Sequence, residues 1–299
     1  MILKKKIAII ISFSIIFGMS LLPVISFQNK SNSHQERSLS TSLASPPISI
    51  DGNGELDSFT NKTGSGIWGD PYIIQDYDIV GTGTGYGIEL QNINKPLIIL
   101  TCRIKSFISG IHMVNVSNVI INDTTVSDNS LRGIYLEDSD NNTIMYNYAF
   151  DNGIGIYIRW SIKNIISNNN ASDNGDNIYL RHSENNTVKE NLASIAYFFD
   201  GIHLEFSNNN TIKDNTASKN GQYGVHLEES NYNRILGNTL LKNADKCIME
   251  VNCTNNIILN NDCGIDDIPG VPSYPLVFFV PIMAFTLIAL VLYLRKNKF

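Results

Sequence analysis

Two short segments of the sequence place imidazole and carboxylate groups at matching positions. The segment at 201–205 reads Gly-Ile-His-Leu-Glu, and the segment at 224–228 reads Gly-Val-His-Leu-Glu. If these segments are neighbouring strands of one sheet, about 4.8 Å apart, their side chains come close enough to share one Zn²⁺ or Cu²⁺ ion. The candidate metal ligands are His203, Glu205, His226 and Glu228. Repeats also copy residues without functional consequence, so the duplication alone does not establish a metal site.

The same two glutamates are candidates for acid–base chemistry on a polysaccharide. Glycoside hydrolysis requires two carboxyl groups about 5 to 10 Å apart, and Glu205 and Glu228 on adjacent strands fall near the lower end of that range. The surrounding sequence contains no long insertion that would build a cleft, and its largest irregularity is the segment 194–200. We therefore favour a protein without catalytic activity and keep a polysaccharide hydrolase or lyase as the alternative.

A longer polar face is predicted around these residues, because the histidine and glutamate positions recur in the preceding segments as Tyr, Glu and Arg. Tyrosine rings can stack on the apolar faces of pyranose rings, while Arg and Glu hydrogen-bond hydroxyl groups or a uronate. The alternative is that tyrosines of neighbouring strands only stack on one another and stabilise the sheet. The predicted ligand-binding face consists of Tyr135, Glu137, Tyr157, Arg159, Tyr179, Arg181, His203, Glu205, His226 and Glu228.

These positions recur because the chain itself repeats. The repeats start at Gly87, Gly110, Gly133, Gly155, Asn177, Gly201, Gly224 and Cys247, with spacings of 22 to 24 residues. The residue after each start is Ile or Val, and a second aliphatic position follows eleven residues after the start, from Ile98 to Ile258. A third position, sixteen residues after the start, is small or aliphatic in every repeat except the first, where it is Arg103. Three apolar positions per repeat predict three walls around one core.

Each apolar position lies in a segment of three to five residues rich in Ile, Val, Thr and Tyr, which is typical of a strand and too short for a helix. We therefore predict an all-β fold, a right-handed single-stranded parallel β-helix of about eight to nine coils. Asparagine recurs nine, fourteen and nineteen residues after the repeat starts. We interpret these asparagines as ladders at the corners of the coils, where Asn tolerates left-handed backbone angles and its amide bonds to its copies above and below.

The repeat units resemble a known family. The segments 133–144 and 201–212, and the opening segment 66–74, are similar to the parallel β-helix repeats of the NosD-like family, which are shared with carbohydrate-binding and sugar-hydrolysing β-helix proteins. The resemblance covers about residues 48 to 263. It implies the β-helix fold and a surface that binds polysaccharide, and the family name suggests copper, although Met- or Cys-rich copper motifs are missing from this sequence.

The two ends of the chain predict export and a membrane anchor. Residues 1–26 have the charged-then-apolar order of a signal peptide or signal anchor, and residues 27–48 have the composition of a disordered tether. Residues 49–86 form an N-terminal cap and first coil, 87–263 the β-helix repeats, and 264–275 a short linker. Residues 276–294 form an uncharged run long enough for a transmembrane helix, followed by a basic cytoplasmic tail at 295–299. This order predicts a single-pass cell-membrane protein with the β-helix outside the cell.

The cysteines and the overall charge narrow the remaining choices. Three cysteines, Cys247, Cys253 and Cys263, lie in the last repeat, and outside the cell a disulfide is expected among them without the sequence indicating which pair. Asn-x-Ser/Thr sequons favour a glycoprotein. The net charge of -6 and the lack of a basic patch argue against a nucleic-acid partner, and no cofactor is predicted beyond the Zn or Cu candidate.

The first hypothesis is therefore a membrane-anchored surface β-helix that binds carbohydrate or another envelope component along its Tyr/His/Glu/Arg face. A polysaccharide-active enzyme is the second hypothesis. A structural spacer or adhesin is the third, and a NosD-like metal-handling accessory protein is also kept.

Overall fold

The computed structural model describes residues 45–264, which form three parallel sheets that wind around one core. The nine strands of the first sheet are Ile48–Asp51, Tyr86–Gln91, Ser109–Val114, Arg132–Glu137, Ile154–Arg159, Asp176–Arg181, Ile202–Glu205, Tyr223–Glu228 and Lys246–Val251. The nine strands of the second are Tyr72–Gln75, Leu97–Leu100, Val119–Asn122, Thr143–Met145, Ile165–Ser167, Thr187–Lys189, Thr211–Lys213, Arg234–Leu236 and Ile257–Leu259. The four strands of the third are Asp78–Val80, Arg103–Lys105, Thr125–Ser127 and Tyr148–Phe150.

The strands form where the aliphatic positions of each repeat must leave water. Ile134 pairs with Ile111 on one side and with Ile156 on the other, and all three side chains are fully buried. Burial of a side chain of this size contributes about 1.5 to 3 kcal/mol. Because strand side chains alternate between faces, residues one position away point outward. The predicted all-β parallel fold, with each residue beside its counterpart in the next coil, is thereby confirmed.

The third sheet has regular strands only in its first four coils. After Tyr148–Phe150 it continues only as single bridges, from Tyr148 to Asn170, then to Leu192, Thr216, Thr239 and Asp262. The inward residue of this wall is correspondingly small, with Ala149, Ala171, Ala193 and Ala217 fully buried. Each coil therefore rests mainly on the first two sheets.

The first repeat departs from the predicted register. Ile99, not Ile98, pairs with the buried Ile121, and Ile98 lies on the outer side. In the third sheet, Ile104 is the buried residue and pairs with Val126, so Arg103 is outward and forms an ion pair with Asp78. The assignment of Ile98 to the core was wrong, because this coil has one more residue before its second strand and one fewer after its third. Arg103 is therefore no break in the core.

The asparagine ladders are present, and the predicted amide bonds between copies are confirmed, but the predicted left-handed angles of the ladder residues are wrong. The backbone N–H of Asn142 donates to Oδ1 of Asn164 at 2.8 Å, and Nδ2 of Asn142 donates to the carbonyl of Val116 at 2.9 Å. The left-handed angles belong to the preceding residues, such as Asn141 and Tyr146. The ladder asparagines are thus required for their amides, which satisfy corner backbone groups that the sheets leave unpaired.

A serine ladder, missed in the sequence, completes the corners. Its members follow the first-sheet strands and are fully buried: Ser139, Ser161, Ser183, Ser207 and Ser230. Ser183 N, for example, donates to Oγ of Ser207 at 3.0 Å. In the last coil the ladder position is Cys253, whose Sγ accepts from Ser230 N at 3.4 Å. A hydroxyl suits this corner because it both donates and accepts within one residue.

The two ends of the stack differ, because a helix covers the first coil whereas Ile257, Ile258 and Leu259 of the last coil are exposed. At the N-terminal end the short helix Gly52–Ser58 covers the core with the fully buried Leu56. At the C-terminal end a disulfide joins Cys247 and Cys263, which selects one of the predicted pairings and leaves Cys253 a thiol.

No helix among residues 45–264 is both long and apolar enough to cross a membrane. The predicted signal segment, most of the tether, and nearly all of the linker lie outside the described residues, as do the transmembrane helix at 276–294 and the basic tail.

Candidate functional site

The outward side chains of the first sheet form a continuous stack of rings. Centroid separations are 4.8 Å for His112–Tyr135, 5.1 Å for both Tyr135–Tyr157 and Tyr157–Tyr179, 4.4 Å for Tyr179–His203 and 4.5 Å for His203–His226. The stack arises because parallel pairing places each residue about 4.8 Å from its counterpart in the next coil. The outward rings of one column therefore lie against one another. We call the strands Ser109–Val114, Arg132–Glu137 and Ile154–Arg159 the upper region, and Asp176–Arg181, Ile202–Glu205 and Tyr223–Glu228 the lower region.

In the upper region the rings cover one another. Tyr135 and Tyr157 are only 5% and 4% exposed, and the guanidinium of Arg132 lies 4.4 Å and 4.9 Å from their centroids. A pyranose ring cannot stack on faces that are already covered. The expectation that these two tyrosines offer open ring faces to a sugar was therefore wrong. Alternation along a strand predicts that a side chain points away from the core, but not how much of it is exposed to solvent.

The neighbouring outward column carries charges that pair with one another. Arg159 Nη1 lies 3.3 Å from Glu137 Oε1, and Arg181 Nε lies 3.0 Å from Glu205 Oε2. The hydroxyl of Tyr179 donates to the same Oε2 of Glu205. Both arginines remain about a third exposed, so they can still contact a ligand from solvent. Glu205 therefore accepts a hydrogen bond from Tyr179 and forms an ion pair with Arg181.

Burial also sets the protonation of the rings. Burial, aided by Glu137, raises the pKa of the Tyr135 phenol to about 12, and burial with the Glu205 hydrogen bond raises the pKa of Tyr179 further. Burial lowers the pKa of His112, against the opposing effect of the Glu89 and Glu137 carboxylates. Tyr135 and Tyr179 consequently keep their phenol protons near neutral pH.

The lower region contains a residue that was not predicted, Asp200. Its side chain is 2% exposed; Oδ1 accepts from Tyr223 N at 2.9 Å, and Oδ2 lies 3.0 Å from Nδ1 of His226 and 3.7 Å from Nδ1 of His203. The nearest sequence signal is the spacing of 24 residues between Asn177 and Gly201, the longest of the series. Asp200 ends that longer connection, and no periodic position pointed to it.

The longer connection also carries exposed aromatic residues. We call residues 195–199 the aromatic loop; in it Tyr197, Phe198 and Phe199 are exposed, Phe198 by 70%. The loop is fixed to the corner, because Tyr197 N donates to the Asn174 carbonyl at 2.8 Å and Phe199 N to the Gly175 carbonyl at 3.2 Å. Its exposed rings therefore stand directly before the strand that carries His203.

A second set of rings follows the strands on the opposite side. Trp160, His182 and Phe206, which we call the aromatic ridge, each come directly after a first-sheet strand. Their centroids are 6.2 Å and 4.9 Å apart, Trp160 is 44% exposed, and Arg159 lies over the Trp160 ring at 3.5 Å. The polar face of the lower region thus lies between aromatic side chains at both ends of its strands.

The coil that carries the aromatic loop lacks the usual ladder asparagine, and an asparagine at a second position replaces its hydrogen bonds. The ladder position of this coil is Ala196, whose N donates to Oδ1 of Asn220 at 2.9 Å as a ladder residue does. The missing amide is supplied by Asn177, which replaces the usual glycine: its Oδ1 accepts from Asn174 at 3.2 Å and its Nδ2 donates to Asn220 at 3.1 Å. The ladder therefore continues past the loop.

The candidate metal ligands separate into two environments. His203, His226 and Asp200 form a group whose ligand atoms all lie within 4.8 Å of one another, whereas Glu205 is engaged by Tyr179 and Arg181. Burial lowers the pKa of His203 to about 4, so its imidazole is neutral. Burial raises the pKa of Asp176, which accepts from Asp200 N, to about 7. The third partner of the two histidines is thus Asp200, which the sequence did not indicate.

The two candidate catalytic carboxylates lie side by side. Glu205 and Glu228 are register partners on adjacent strands. Glu205 is held by Tyr179 and Arg181, so the two environments differ. Their role in acid–base chemistry stays a hypothesis.

These features define a right-handed parallel β-helix with one polar, ring-bearing face. The family model of the right handed β-helix region matches residues 63–198, and that of the periplasmic copper-binding protein NosD matches residues 157–267. Both matches confirm the resemblance recognised in the repeats. No curated protein sequence matches the chain.

Solved structures share this fold at low identity. The periplasmic alginate epimerase AlgG aligns with a TM-score of 0.52 and 22% identity over 58% of this chain and 47% of its own. Tailspike protein 2 of the Escherichia coli O157:H7 bacteriophage CAB120 aligns with a TM-score of 0.50 and 13% identity, over 61% of this chain and 32% of its own. The chain thus spans about half of the epimerase and a third of the tailspike. At these identities the likeness shows the fold alone.

Proposed function

We propose that this protein binds polysaccharide across the lower region of the first sheet without transforming it. The observation that carries the proposal is the exposed aromatic loop, which precedes the strand Ile202–Glu205, whose last residue is paired with Arg181. Exposed rings such as Phe198 can stack on the apolar face of a sugar, as the covered rings of the upper region cannot.

The polar groups suit the remaining surface of a sugar. The guanidinium of Arg181 is partly exposed and fixed by Glu205, so it can present donors to hydroxyl groups or to a uronate. Trp160 offers a further exposed ring at the other side of the strands. The structural neighbours lend support, because an alginate epimerase and a bacteriophage tailspike share this fold.

We also propose that the β-helix faces the outside of the cell and is anchored through residues 276–294. The support is the apolar run with its basic flank and the match to a family described as periplasmic. Protease added to intact cells should then digest the β-helix, and digestion only after lysis would contradict this placement.

The binding proposal is tested with the full-length chain, purified in a mild detergent and screened against acidic and neutral polysaccharides. Phe198→Ala should weaken binding about tenfold, the loss of one stacked ring, and leave the melting temperature unchanged. Trp68→Ala is the matched control, since Trp68 is 77% exposed but lies before the first repeat. Equal effects of both variants, or of neither, would overturn the proposal.

The same screen separates the alternatives. Arg181→Ala should weaken binding of acidic polysaccharides more than of neutral ones if a uronate is bound. New reducing ends or new double bonds would instead establish a hydrolase or a lyase, with Glu205 and Glu228 the residues to test. If the protein shows neither polysaccharide binding nor turnover, the remaining hypothesis is a structural spacer or adhesin.

A further inference from the structure

The lower region holds a cluster of nitrogen and oxygen donors for which the glycan proposal gives no role. Asp200 is a carboxylate removed from solvent, and its Oδ2 faces Nδ1 of both His203 and His226. A buried carboxylate is costly unless it is paired or bound to a cation. One hydrogen bond from Tyr223 N and one contact with His226 satisfy only part of its acceptor capacity.

His203 is the second incompletely satisfied group. Its Nε2 is buried and makes no hydrogen bond within the described part of the chain. Its Nδ1 is 3.7 Å from Asp200, which is too long for a hydrogen bond. A neutral imidazole with a free lone pair is the form that binds a metal ion.

The separations suit a shared ion. Two atoms bound to one zinc or copper ion at about 2.1 Å can be at most about 4.2 Å apart. The two contacts of Asp200 Oδ2, at 3.0 Å and 3.7 Å, lie inside that limit, and all three ligand atoms lie within 4.8 Å. No pair of these atoms exceeds the limit by more than about 0.6 Å.

We propose that Asp200, His203 and His226 bind one divalent transition-metal ion, copper or zinc. Two imidazoles and a carboxylate are a donor set for these metals and a poor one for Mg²⁺ or Ca²⁺, which take oxygen ligands. Three protein ligands leave a coordination position open to water or to a ligand. Asp200 is in place because the longer coil ends there, and among residues 45–264 no other coil carries such a group of ligand atoms.

The upper region supplies the matched comparison. His112 also lies between two carboxylates, with Nδ1 3.8 Å from Glu89 and Nε2 3.7 Å from Glu137. Its two contacts lie on opposite sides of the ring and cannot converge on one ion. Both places combine imidazole and carboxylate groups, but only in the lower region do two imidazoles face the same carboxylate oxygen.

The test is calorimetric titration of the untagged full-length chain, stripped with a chelator, with Cu²⁺ and then with Zn²⁺. We expect one ion per chain, with copper bound more tightly than zinc. Asp200→Asn and His226→Gln should each weaken binding by more than about tenfold, while His112→Gln should not. Equal binding by all three variants and the wild type would mean an adventitious ion and overturn the site, as would no saturable binding.

Paramagnetic resonance of the Cu²⁺-loaded chain keeps the proposal testable if a variant unfolds. The wild-type spectrum should show coupling to two imidazole nitrogens, reduced to one in His203→Gln, with circular dichroism as the folding control. A wild-type spectrum without nitrogen coupling would overturn the assignment. Phe198→Ala should bind metal normally, so failure of the glycan proposal and failure of this one are distinguishable.

Discussion

The upper and lower regions of the first sheet use the same column of outward positions for different purposes. In the upper region, His112, Tyr135 and Tyr157 are stacked and buried, and their protons and ring faces are not available to a ligand. In the lower region the stack continues through Tyr179, His203 and His226. There a buried carboxylate and an exposed aromatic loop stand beside it. Where the repeat is regular, the stacked Tyr and His side chains stabilise the sheet. Where the longer coil interrupts the repeat, the same column gains groups that can bind a ligand.

The interruption is a single coil. Its longer connection replaces the ladder asparagine by Ala196 and supplies the aromatic loop and Asp200, while Asn177 restores the lost hydrogen bonds. The lesson is that in a repeat fold the positions that break the pattern carry more information about function than the positions that keep it.

The largest effect expected from this comparison is on stability in the upper region. Tyr157→Ala should lower the free energy of unfolding by about 3 kcal/mol, because it removes a nearly buried ring between two others. The measurement is chemical denaturation, with Tyr148→Ala as control, since Tyr148 is a strand residue but 42% exposed. Equal losses in the two variants, or a loss of glycan binding without a loss of stability, would contradict the structural role of the upper stack.

A smaller effect tests the exchange that accommodates the aromatic loop. Asn177→Gly removes two buried hydrogen bonds and should cost about 2 kcal/mol. Ala196→Asn alone should also destabilise, because the Asn177 side chain already serves that site. The double variant should recover most of the loss, since it recreates the usual glycine and ladder asparagine.

A double-mutant cycle of denaturation midpoints measures this coupling. Strictly additive losses would show that the two positions are independent and that the loop is accommodated in some other way.

Much of the fold followed from the sequence, because burial of Ile or Val at a fixed period leaves few arrangements. The columns beginning at Ile111 and Ile121 were predicted correctly except in the last coil, where Ile258 is 37% exposed, and the stacking of the outward rings was also predicted correctly. The shift at Ile99 was missed because the length of the first repeat is unchanged when one turn gains a residue and another loses one. Spacing alone cannot detect such a compensated shift.

The candidate site was less accessible to prediction for two physical reasons. Asp200 lies outside the period, and its approach to His226 depends on how the loop folds back on the preceding corner. The burial of Tyr135 depends on ring stacking and on Arg132, which is a property of neighbouring coils together. The sequence indicated which residues share a face, but not which of them remain open.

The smallest expected effect concerns the pH dependence of the closed upper stack. Burial lowers the pKa of His112 below its ordinary value of 6.5, so the unfolded chain takes up this proton at a higher pH than the folded chain does. Stability is therefore unaffected by His112 well above pH 6.5 and is lost as the pH falls below that value. The slope from one such group is at most about 1.4 kcal/mol per pH unit.

His112→Phe keeps an aromatic ring in the stack but cannot titrate. On acidification below pH 6.5, the free energy of unfolding of the wild type should therefore decrease more than that of the variant. Denaturation curves for both proteins over a series of pH values measure it. A difference that stays constant with pH would mean that His112 binds its proton equally well in the folded and unfolded chains, and it would contradict the burial of His112 in the upper stack.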